Sequence, residues 1–163
     1  MKRNRLVLAA AVAAIAAAAY VQLSAASTAN LAISANVSKN CSITTAPVAF
    51  GSYDPLSATP LDTTGTVTVN CTRTTAATVG LDLGQNVLTS ARRMKSGTTE
   101  YLGYNLFSDS GRTTEWNNTA TQGYTSASKN TAQVYTVYGR VAAGQDALAL
   151  ASYADTVVAT VNF

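Results

Sequence analysis

The chain has 163 residues, with 11 basic and 8 acidic side chains, two cysteines and no histidine. This length argues for one domain. Histidine is absent, the carboxylates are scattered, and there is no serine-nucleophile elbow, phosphate loop or metal-ligand spacing. The sequence therefore predicts neither an enzyme nor a bound metal or cofactor.

The N-terminus has the organisation of a secretory signal. Basic residues within the first five positions precede an apolar run over residues 6–23, and small residues follow at 24–27. We expect cleavage after Ala26, so that residues 1–26 form the signal peptide. The competing interpretation is an uncleaved membrane anchor, because the apolar run is about as long as a bilayer requires. Its alanine-rich composition and the small residues that follow it favour cleavage.

Removal of this signal changes the charge of the protein. It takes away three of the 11 basic residues and leaves eight basic side chains against 8 acidic ones, a net charge near zero. The basic character of the full chain therefore belongs to the signal. The electrostatic argument for binding nucleic acid or an acidic membrane is lost with it.

Residues 27–38 contain an amphipathic strand without an evident partner. Apolar side chains alternate with small or polar ones, which is typical of a half-buried β-strand. The apolar face consists of Leu31, Ile33, Ala35 and Val37. No turn dipeptide follows, so the pattern predicts no local hairpin. The strand must pair with a sheet elsewhere, either as the first strand of its own complete domain or by adding to another molecule.

Two cysteines in an exported chain are most simply explained by one disulfide, Cys41–Cys71. Closing a loop of about thirty residues would contribute roughly 3–4 kcal/mol on the chain-entropy model. The alternative is two buried thiols. Two thiolates without histidine do not make a zinc site.

The remaining sequence is rich in Thr, Ser, Ala, Val and Tyr and is broken by Gly and Asn, which suits strands and turns. Apolar and alternating segments predict further strands at residues 42–51, 66–71, 79–84, 101–107, 134–142 and 153–163. In the last of these the apolar positions are Val157, Ala159, Val161 and Phe163.

This succession of short strands predicts an immunoglobulin-like antiparallel sandwich. Such a sandwich normally has a further strand after the position at which this sequence ends. We therefore expect a core that is open along one groove.

Two polar regions have a simple structural interpretation beside a functional one. The basic segment 92–97 could bind a polyanion, but a solvated hairpin tip is the simpler expectation. Residues 108–133 lack periodicity, and a stretch of that length is usually a functional or a mobile loop. Within it, Trp116 could bind a sugar, although packing onto the sandwich is the simpler expectation.

Several segments together resemble a known family. They are NCSI (40–43), VAFGSYDP (48–55), TGTVTVNCT (64–72), RRMKSG (92–97), LGYNLFSD (102–109), YTVYGRV (135–141) and YADTVVATVNF (153–163). In this order they resemble the spore coat protein U domain family, the subunits of archaic or alternative chaperone–usher pili. The resemblance runs from about residue 30 to residue 163.

The resemblance implies an incomplete immunoglobulin-like sandwich that lacks its last strand and is completed by donor-strand complementation. In such pilins a periplasmic chaperone lends a strand, and an outer-membrane usher exchanges it for the N-terminal extension of the next subunit. Residues 27–38 would then be the donor extension and residues 39–163 the pilin domain. The groove would be flanked by the strand at 153–163 and by the strand after Cys41. The family's disulfide maps onto Cys41 and Cys71.

The implied function is structural. The protein would be a shaft or adaptor subunit that polymerises head to tail with identical or related subunits on the cell surface and supports adhesion and biofilm formation. We expect the linker of residues 38–40 to be too short for the donor strand to reach the groove of its own domain. Two alternatives are a secreted spore-coat-type structural protein and a carbohydrate-binding module with a complete sandwich.

Overall fold

The strands of this protein pair only in the antiparallel sense over residues 25–149 and 151–163, which the computed structural model describes. They are β1 (Cys41–Ala46), β2 (Leu61–Cys71), β3 (Ala76–Leu81), β4 (Arg93–Ser96), β5 (Glu100–Gly103), β6 (Asn105–Phe107), β7 (Gln122–Thr125), β8 (Gln133–Val141) and β9 (Ala159–Asn162). Residues 1–24, which carry nearly all of the predicted signal peptide, lie outside the described residues. Within the described ranges, no helix has the length and apolarity needed to span a membrane.

The larger sheet has the strand order β1-β2-β8-β6. Its central pair, β2 and β8, is aligned along nine residues of each strand. In the second half of β2, Val67, Val69 and Cys71 are buried while the polar residues between them are partly exposed. This is the two-residue period that the sequence predicts, and β-branched side chains such as valine pack well on a pleated surface.

The second sheet has the order β7-β3-β9, and β4 and β5 form a separate hairpin. Side chains from these elements meet those of the larger sheet in one apolar core. Its buried members are Val67, Val69, Cys71, Ala77, Val79, Leu81, Leu102, Tyr104, Leu106, Trp116, Val137 and Val141. The all-β antiparallel architecture therefore follows from strands that each contribute one apolar face.

The polar segment 108–121 crosses the sandwich and is anchored by a tryptophan. Trp116 is fully buried, and its indole N–H donates a hydrogen bond to the carbonyl oxygen of Val79 at 2.9 Å. Its ring lies edge-on to that of Tyr135, with 5.7 Å between the centroids. Its backbone N–H donates to the carbonyl oxygen of Leu106 at 2.9 Å. Trp116 thus packs into the core, as the simpler interpretation of the sequence expects.

The basic segment 92–97 differs from the predicted solvated hairpin tip, because its first side chain is buried. Arg92 is 1% exposed and donates to the carbonyl oxygens of Asp82 at 2.7 Å and Trp116 at 2.8 Å. It also reaches the Glu115 carboxylate at 3.2 Å. Burial lowers the pKa of the Arg92 guanidinium, and the charge of Glu115 opposes that shift. The prediction is wrong for Arg92, because a guanidinium with five donors can satisfy carbonyl groups of several segments at once.

Several predicted strands have other bounds in the structure: the one expected over residues 153–163 is regular only as β9, Ala159–Asn162, and the one expected over residues 79–84 is β3, Ala76–Leu81. The strand expected over residues 42–51 ends at Ala46, directly before a proline that has no N–H to donate to the sheet. The strand expected over residues 101–107 is interrupted at Tyr104, whose N–H donates to the carbonyl oxygen of Arg92 at 3.1 Å. The two halves, β5 and β6, consequently belong to different sheets.

Candidate functional site

A groove of about 1100 Å³ opens into the core between two segments that are largely outside the regular sheets. The first, called here the 45–55 wall, continues from β1. The second, the 151–159 wall, leads into β9. The floor between them consists of apolar core side chains, namely Val67, Leu81, Met94, Leu102, Leu106 and Val137. Five of these side chains, all but that of Met94, are at most 4% exposed, so most of the accessible surface of the groove belongs to its walls.

The 151–159 wall is an extended segment with one paired edge. Its odd-numbered side chains are half-buried and its even-numbered ones are exposed. Ala154 exchanges both backbone hydrogen bonds with Lys95, at 2.8 and 3.0 Å, and the carbonyl oxygen of Val158 accepts from the N–H of Asp82 at 3.0 Å. The backbone groups of the even-numbered residues therefore face β3 and β4.

The other edge of the same wall is open. Neighbouring residues of a strand direct their N–H and C=O groups to opposite sides, so those of the odd-numbered residues point away from β3. Among the described residues, the backbone groups of Tyr153, Asp155 and Val157 form no hydrogen bond. Because unpaired backbone groups in a row form a template for another strand, this edge can accept one.

The 45–55 wall lies against the larger sheet because two glycines there leave space. A Cβ atom on Gly139 would come within 2.6 Å of Val48 and 2.9 Å of Phe50, and one on Gly65 within 2.7 Å of Val48. The absence of side chains at both glycines therefore permits this close approach. The Phe50 ring then meets the Tyr104 ring edge-on, with 6.1 Å between the centroids.

A fixed carboxylate lies in the 151–159 wall. Asp155 accepts hydrogen bonds from the Tyr104 hydroxyl at 2.7 Å, the backbone N–H of Gln85 at 3.0 Å and the side-chain amide of Asn86 at 2.9 Å. Burial, followed by the hydrogen bond to Asp155, raises the pKa of Tyr104, so the hydroxyl remains protonated and continues to donate. With three donors holding it, the carboxylate is a rigid polar part of the groove lining.

The predicted donor strand lies in a segment without regular structure. Residues 25–40 form neither strand nor helix, and their side chains are exposed. Leu31 is 84% exposed, and Ile33 and Val37 are each 87% exposed. Ala35, the fourth member of the apolar face, is also exposed. The segment thus presents an apolar face that no sheet covers.

The four residues predicted to flank the groove have different surroundings in the structure. Val157 and Ala159 line the groove. Val161 packs against the core on the same face of β9 but is not part of the lining, and Phe163 is 53% exposed. The groove therefore lies alongside the segment that precedes β9 more than alongside β9 itself.

Part of the groove lining was not predicted from the sequence. Residues 52–55 of the 45–55 wall and Tyr104 line the groove without having been expected there. The alternation that identified Val157 and Ala159 continues backwards through Asp155 and Tyr153, which also line the groove. This alternation was the sequence signal from which Asp155 and Tyr153 could have been predicted to line the groove.

Cys41 and Cys71 form a disulfide that joins β1 to β2, where the two residues lie opposite each other. It fixes the strand from which the 45–55 wall departs. No group of three or more potential metal ligands occurs in the part of the chain that the structure describes.

Comparisons with known proteins agree on one family. A family model described as the Spore Coat Protein U domain matches residues 27–160. Protein U of Myxococcus xanthus is 36% identical over 155 residues, which cover 85% of this chain and 86% of that protein.

Among solved structures, the chain is similar to one in the CsuC–CsuE chaperone–tip adhesion subunit pre-assembly complex from the archaic chaperone–usher Csu pili of Acinetobacter baumannii. The TM-score is 0.55 and the identity 25%, over 78% of this chain and 40% of that chain. This chain thus spans less than half the length of that solved chain. The similarity confirms the predicted all-β antiparallel fold.

Proposed function

This chain belongs to the Spore Coat Protein U domain family, and from that premise we propose that it is a structural subunit of a chaperone–usher pilus that polymerises by donor-strand exchange. Residues 27–38 of one subunit would supply the strand that fills the groove of the next. The role would be that of a shaft or adaptor subunit, and it would require no catalysis.

One observation carries the proposal. The same chain contains an open apolar groove with an unpaired sheet edge and an exposed strand-like segment with an unpaired apolar face. The two are complementary. The segment can supply backbone partners and apolar side chains to the groove, and the groove can supply a sheet edge to the segment. A self-complementary pair of this kind on one chain supports assembly between copies.

The strand order gives independent support. An immunoglobulin sandwich has one sheet in the order A-B-E-D and another that contains C, F and G. The order β1-β2-β8-β6 corresponds to the first of these, and β3 and β9 correspond to C and F. The open edge next to β9 is where strand G would lie. An incoming strand would therefore complete the sandwich.

Simple energetics favour such an exchange. Burying a leucine, isoleucine or valine side chain contributes about 1.5–3 kcal/mol each, and the donor face has three such residues besides Ala35. The inserted strand would also satisfy the backbone groups of the open edge. Because each subunit donates to the next and not back to the same one, the contact is heterologous and leads to a fibre.

The proposed partners follow from the same groove. An unpaired sheet edge beside an open groove and an exposed apolar segment promote aggregation, so a subunit in transit through the periplasm would need a chaperone that covers the groove until an outer-membrane usher catalyses the exchange. The structural similarity to a subunit from a chaperone complex of an archaic pilus supports this assignment. Export would depend on residues 1–26 as a signal peptide, and the assembled fibre would serve surface adhesion and biofilm formation.

A gel experiment tests the proposal. The full chain is expressed for export and purified oxidised, its N-terminus is determined by mass spectrometry, and samples are run unboiled and boiled on a denaturing gel. We expect processing after Ala26 and a ladder of multimers that survives only without boiling. The double variant Ile33→Asp, Val37→Asp should lose the ladder.

The matched control places the same charges on the other face of the donor segment, as Ser34→Asp with Asn36→Asp, and should retain the ladder. A monomer band for the unaltered protein, together with a cooperative thermal transition, would mean that the sandwich completes itself. That result would reject the pilin assignment in favour of a self-contained binding module.

A second candidate function is supported by the family description, which refers to a spore coat. A coat-type protein could use the same strand exchange to build a layer. Electron microscopy of the purified multimers separates the two: unbranched fibres support the pilus subunit, whereas sheets would support the coat protein.

A further inference from the structure

We propose that the groove accepts residues 31–37 of a second copy in one register, in which Leu31, Ile33, Ala35 and Val37 lie opposite Ala159, Val157, Asp155 and Tyr153, respectively. In this register the fixed carboxylate of Asp155 makes position 35 selective for a small side chain. The inference rests on the proposed function, since it specifies the register and direction in which the donor strand of another subunit would bind.

The backbone of the 151–159 wall restricts the register to steps of two residues. Only its odd-numbered residues direct their N–H and C=O groups to the open edge, and the same residues point their side chains inward. In an antiparallel pair, the residues that exchange both hydrogen bonds lie directly opposite each other, with side chains on the same face. Inward-facing donor residues must therefore lie opposite odd-numbered residues of this wall.

The extent of the groove then leaves two antiparallel registers from this set. The odd-numbered lining residues of the 151–159 wall are Ala151, Tyr153, Asp155, Val157 and Ala159, whereas Val161 and Phe163 do not belong to the lining. The donor segment has four inward apolar residues at the same spacing. They can lie opposite residues 153–159 or, shifted by two residues, opposite residues 151–157.

The fixed carboxylate and the existing sheet decide between these registers. In the shifted register Ile33 would lie opposite Asp155, and a branched apolar side chain would be pressed against a carboxylate that three donors hold in place. In the register proposed here the smallest donor residue, Ala35, lies there instead. A parallel donor strand could also place Ala35 opposite Asp155, with Ile33 opposite Tyr153, but every strand pair of the described residues is antiparallel, so the antiparallel direction continues the existing sheet.

The opposed side chains are complementary in size as well. Leu31, the longest donor residue, meets Ala159, whose side chain is a single methyl group. The small Ala35 lies opposite Asp155, whose carboxylate accepts a hydrogen bond from the Tyr104 hydroxyl at 2.7 Å, so the Tyr104 side chain is close to this position as well. Large against small on facing positions is the pattern by which packed layers interdigitate.

Disulfide trapping tests the register in the full chain. The pair Ile33→Cys with Val157→Cys places cysteines at directly opposed positions, whose Cα atoms lie about 5.5 Å apart. The control pairs join Ile33→Cys to Ala159→Cys or to Val161→Cys, for which diagonal distances of about 7–8 Å or more disfavour a bond. A fourth pair, Ile33→Cys with Tyr153→Cys, detects the parallel direction that would also place Ala35 opposite Asp155, and a fifth, Val37→Cys with Ala151→Cys, detects the shifted antiparallel register. Each single variant controls for exchange with Cys41–Cys71.

We expect roughly tenfold more covalent oligomer on a boiled, non-reducing gel for the 33–157 pair than for any other pair, because a disulfide tolerates only a narrow Cα separation. A stronger product from another pair would overturn the register. Multimers that persist unboiled without a covalent product from any pair would overturn it too, while leaving strand exchange intact. Loss of multimers in the unaltered protein would instead reject the proposed function.

The size selection at position 35 has its own test. Ala35→Leu should lower the yield of multimers by about tenfold, because the added side chain has no space beside Asp155 and Tyr104. Ser34→Leu, which adds a similar side chain on the outward face, should leave the yield unchanged. Equal yields from both variants would overturn the selective role of this position.

Discussion

Two regions of this sandwich differ in whether their backbone polar groups are hydrogen-bonded. Around Trp116 and Arg92, called here the closed region, buried donors reach carbonyl groups of Val79 and Asp82 and tie separate segments together. In the groove, the backbone groups of Tyr153, Asp155 and Val157 form no hydrogen bond among the described residues, and apolar core side chains line its floor. We therefore expect the closed region to stabilise the domain and the groove to serve the proposed assembly.

The largest loss of stability should come from removing a large buried side chain from the closed region. Trp116→Ala removes a fully buried side chain and its hydrogen bond, and we expect it to lower the free energy of unfolding by about 3–5 kcal/mol. Phe50→Ala, in the half-buried 45–55 wall, should lower it by only about 1–2 kcal/mol. Urea unfolding followed by circular dichroism measures both. Because Trp116 is the single tryptophan of the chain, fluorescence cannot serve for its variant.

For multimer yield, the order of the effects of Trp116→Ala and Phe50→Ala should be the reverse of their order for stability. Phe50→Ala alters the groove lining and should reduce the multimer yield more than its effect on stability explains. Equal losses of stability from both variants would contradict the division into a stabilising and an assembling region. The unfolding measurements use proteins that also carry Ile33→Asp and Val37→Asp, so that polymerisation does not affect the unfolding curves.

The disulfide is the next largest contribution, because it fixes the strand from which the 45–55 wall departs. Replacing Cys41 and Cys71 by alanine opens a loop of 30 residues. We expect a loss of about 3–4 kcal/mol, since the cross-link mainly restricts the unfolded chain. Thermal unfolding with and without reductant provides the measurement. The unaltered protein should shift on reduction, whereas a double variant that still responds to reductant would contradict this explanation.

A smaller effect is expected for Arg92→Lys in the closed region. An ammonium group cannot reproduce the planar fork that bonds Asp82, Trp116 and Glu115 together, and at least one buried carbonyl would lose its donor. We expect a loss of about 1–3 kcal/mol in urea unfolding. The matched control is Arg73→Lys at an exposed position, which should change stability by about 0.5 kcal/mol or less. Equal effects at both positions would mean that burial of Arg92 is not what matters.

The smallest effect concerns a half-exposed ion pair on the larger sheet and depends on pH. The hydrogen bond from Arg140, followed by the nearby charge of Arg112, lowers the pKa of Asp62. A carboxyl group whose folded pKa is depressed stabilises the protein above its unfolded pKa of about 3.9, and this contribution is lost as the pH falls through the lower folded value.

Asp62→Asn should therefore cost no more than about 1 kcal/mol at neutral pH, because exposed ion pairs are screened by solvent. Below about pH 4 its stability should converge with that of the unaltered protein. Thermal unfolding between neutral pH and pH 3 measures this convergence. A constant difference over the whole range would show that Asp62 acts through packing and not through its charge.

The sequence predicted the strands that alternate clearly and failed where tertiary contacts override local pattern. In β2, valines at every second position, and in β8, the alternation through Val137, Gly139 and Val141, were enough to identify the strand and its buried face. Residues 101–107 form an equally clear pattern, yet β5 pairs with β4 and β6 pairs with β8, so the chain changes sheets at Tyr104. The short strand β7 escaped notice because its side chains, Gln122 to Thr125, lack an apolar alternation.

Composition, two-residue periodicity and the cysteine pair determined the all-β antiparallel class and the amphipathic face of residues 31–37, because these depend only on local chemistry and spacing. The resemblance of several motifs led to the family. Tertiary structure alone decided that Arg92 is buried, since a charge leaves water only when carbonyl groups from distant segments converge on it. It also decided that the groove lies beside residues 151–159 and that Tyr104 and Asp155 share its lining. Those contacts arise only when strands distant in sequence pack around one core.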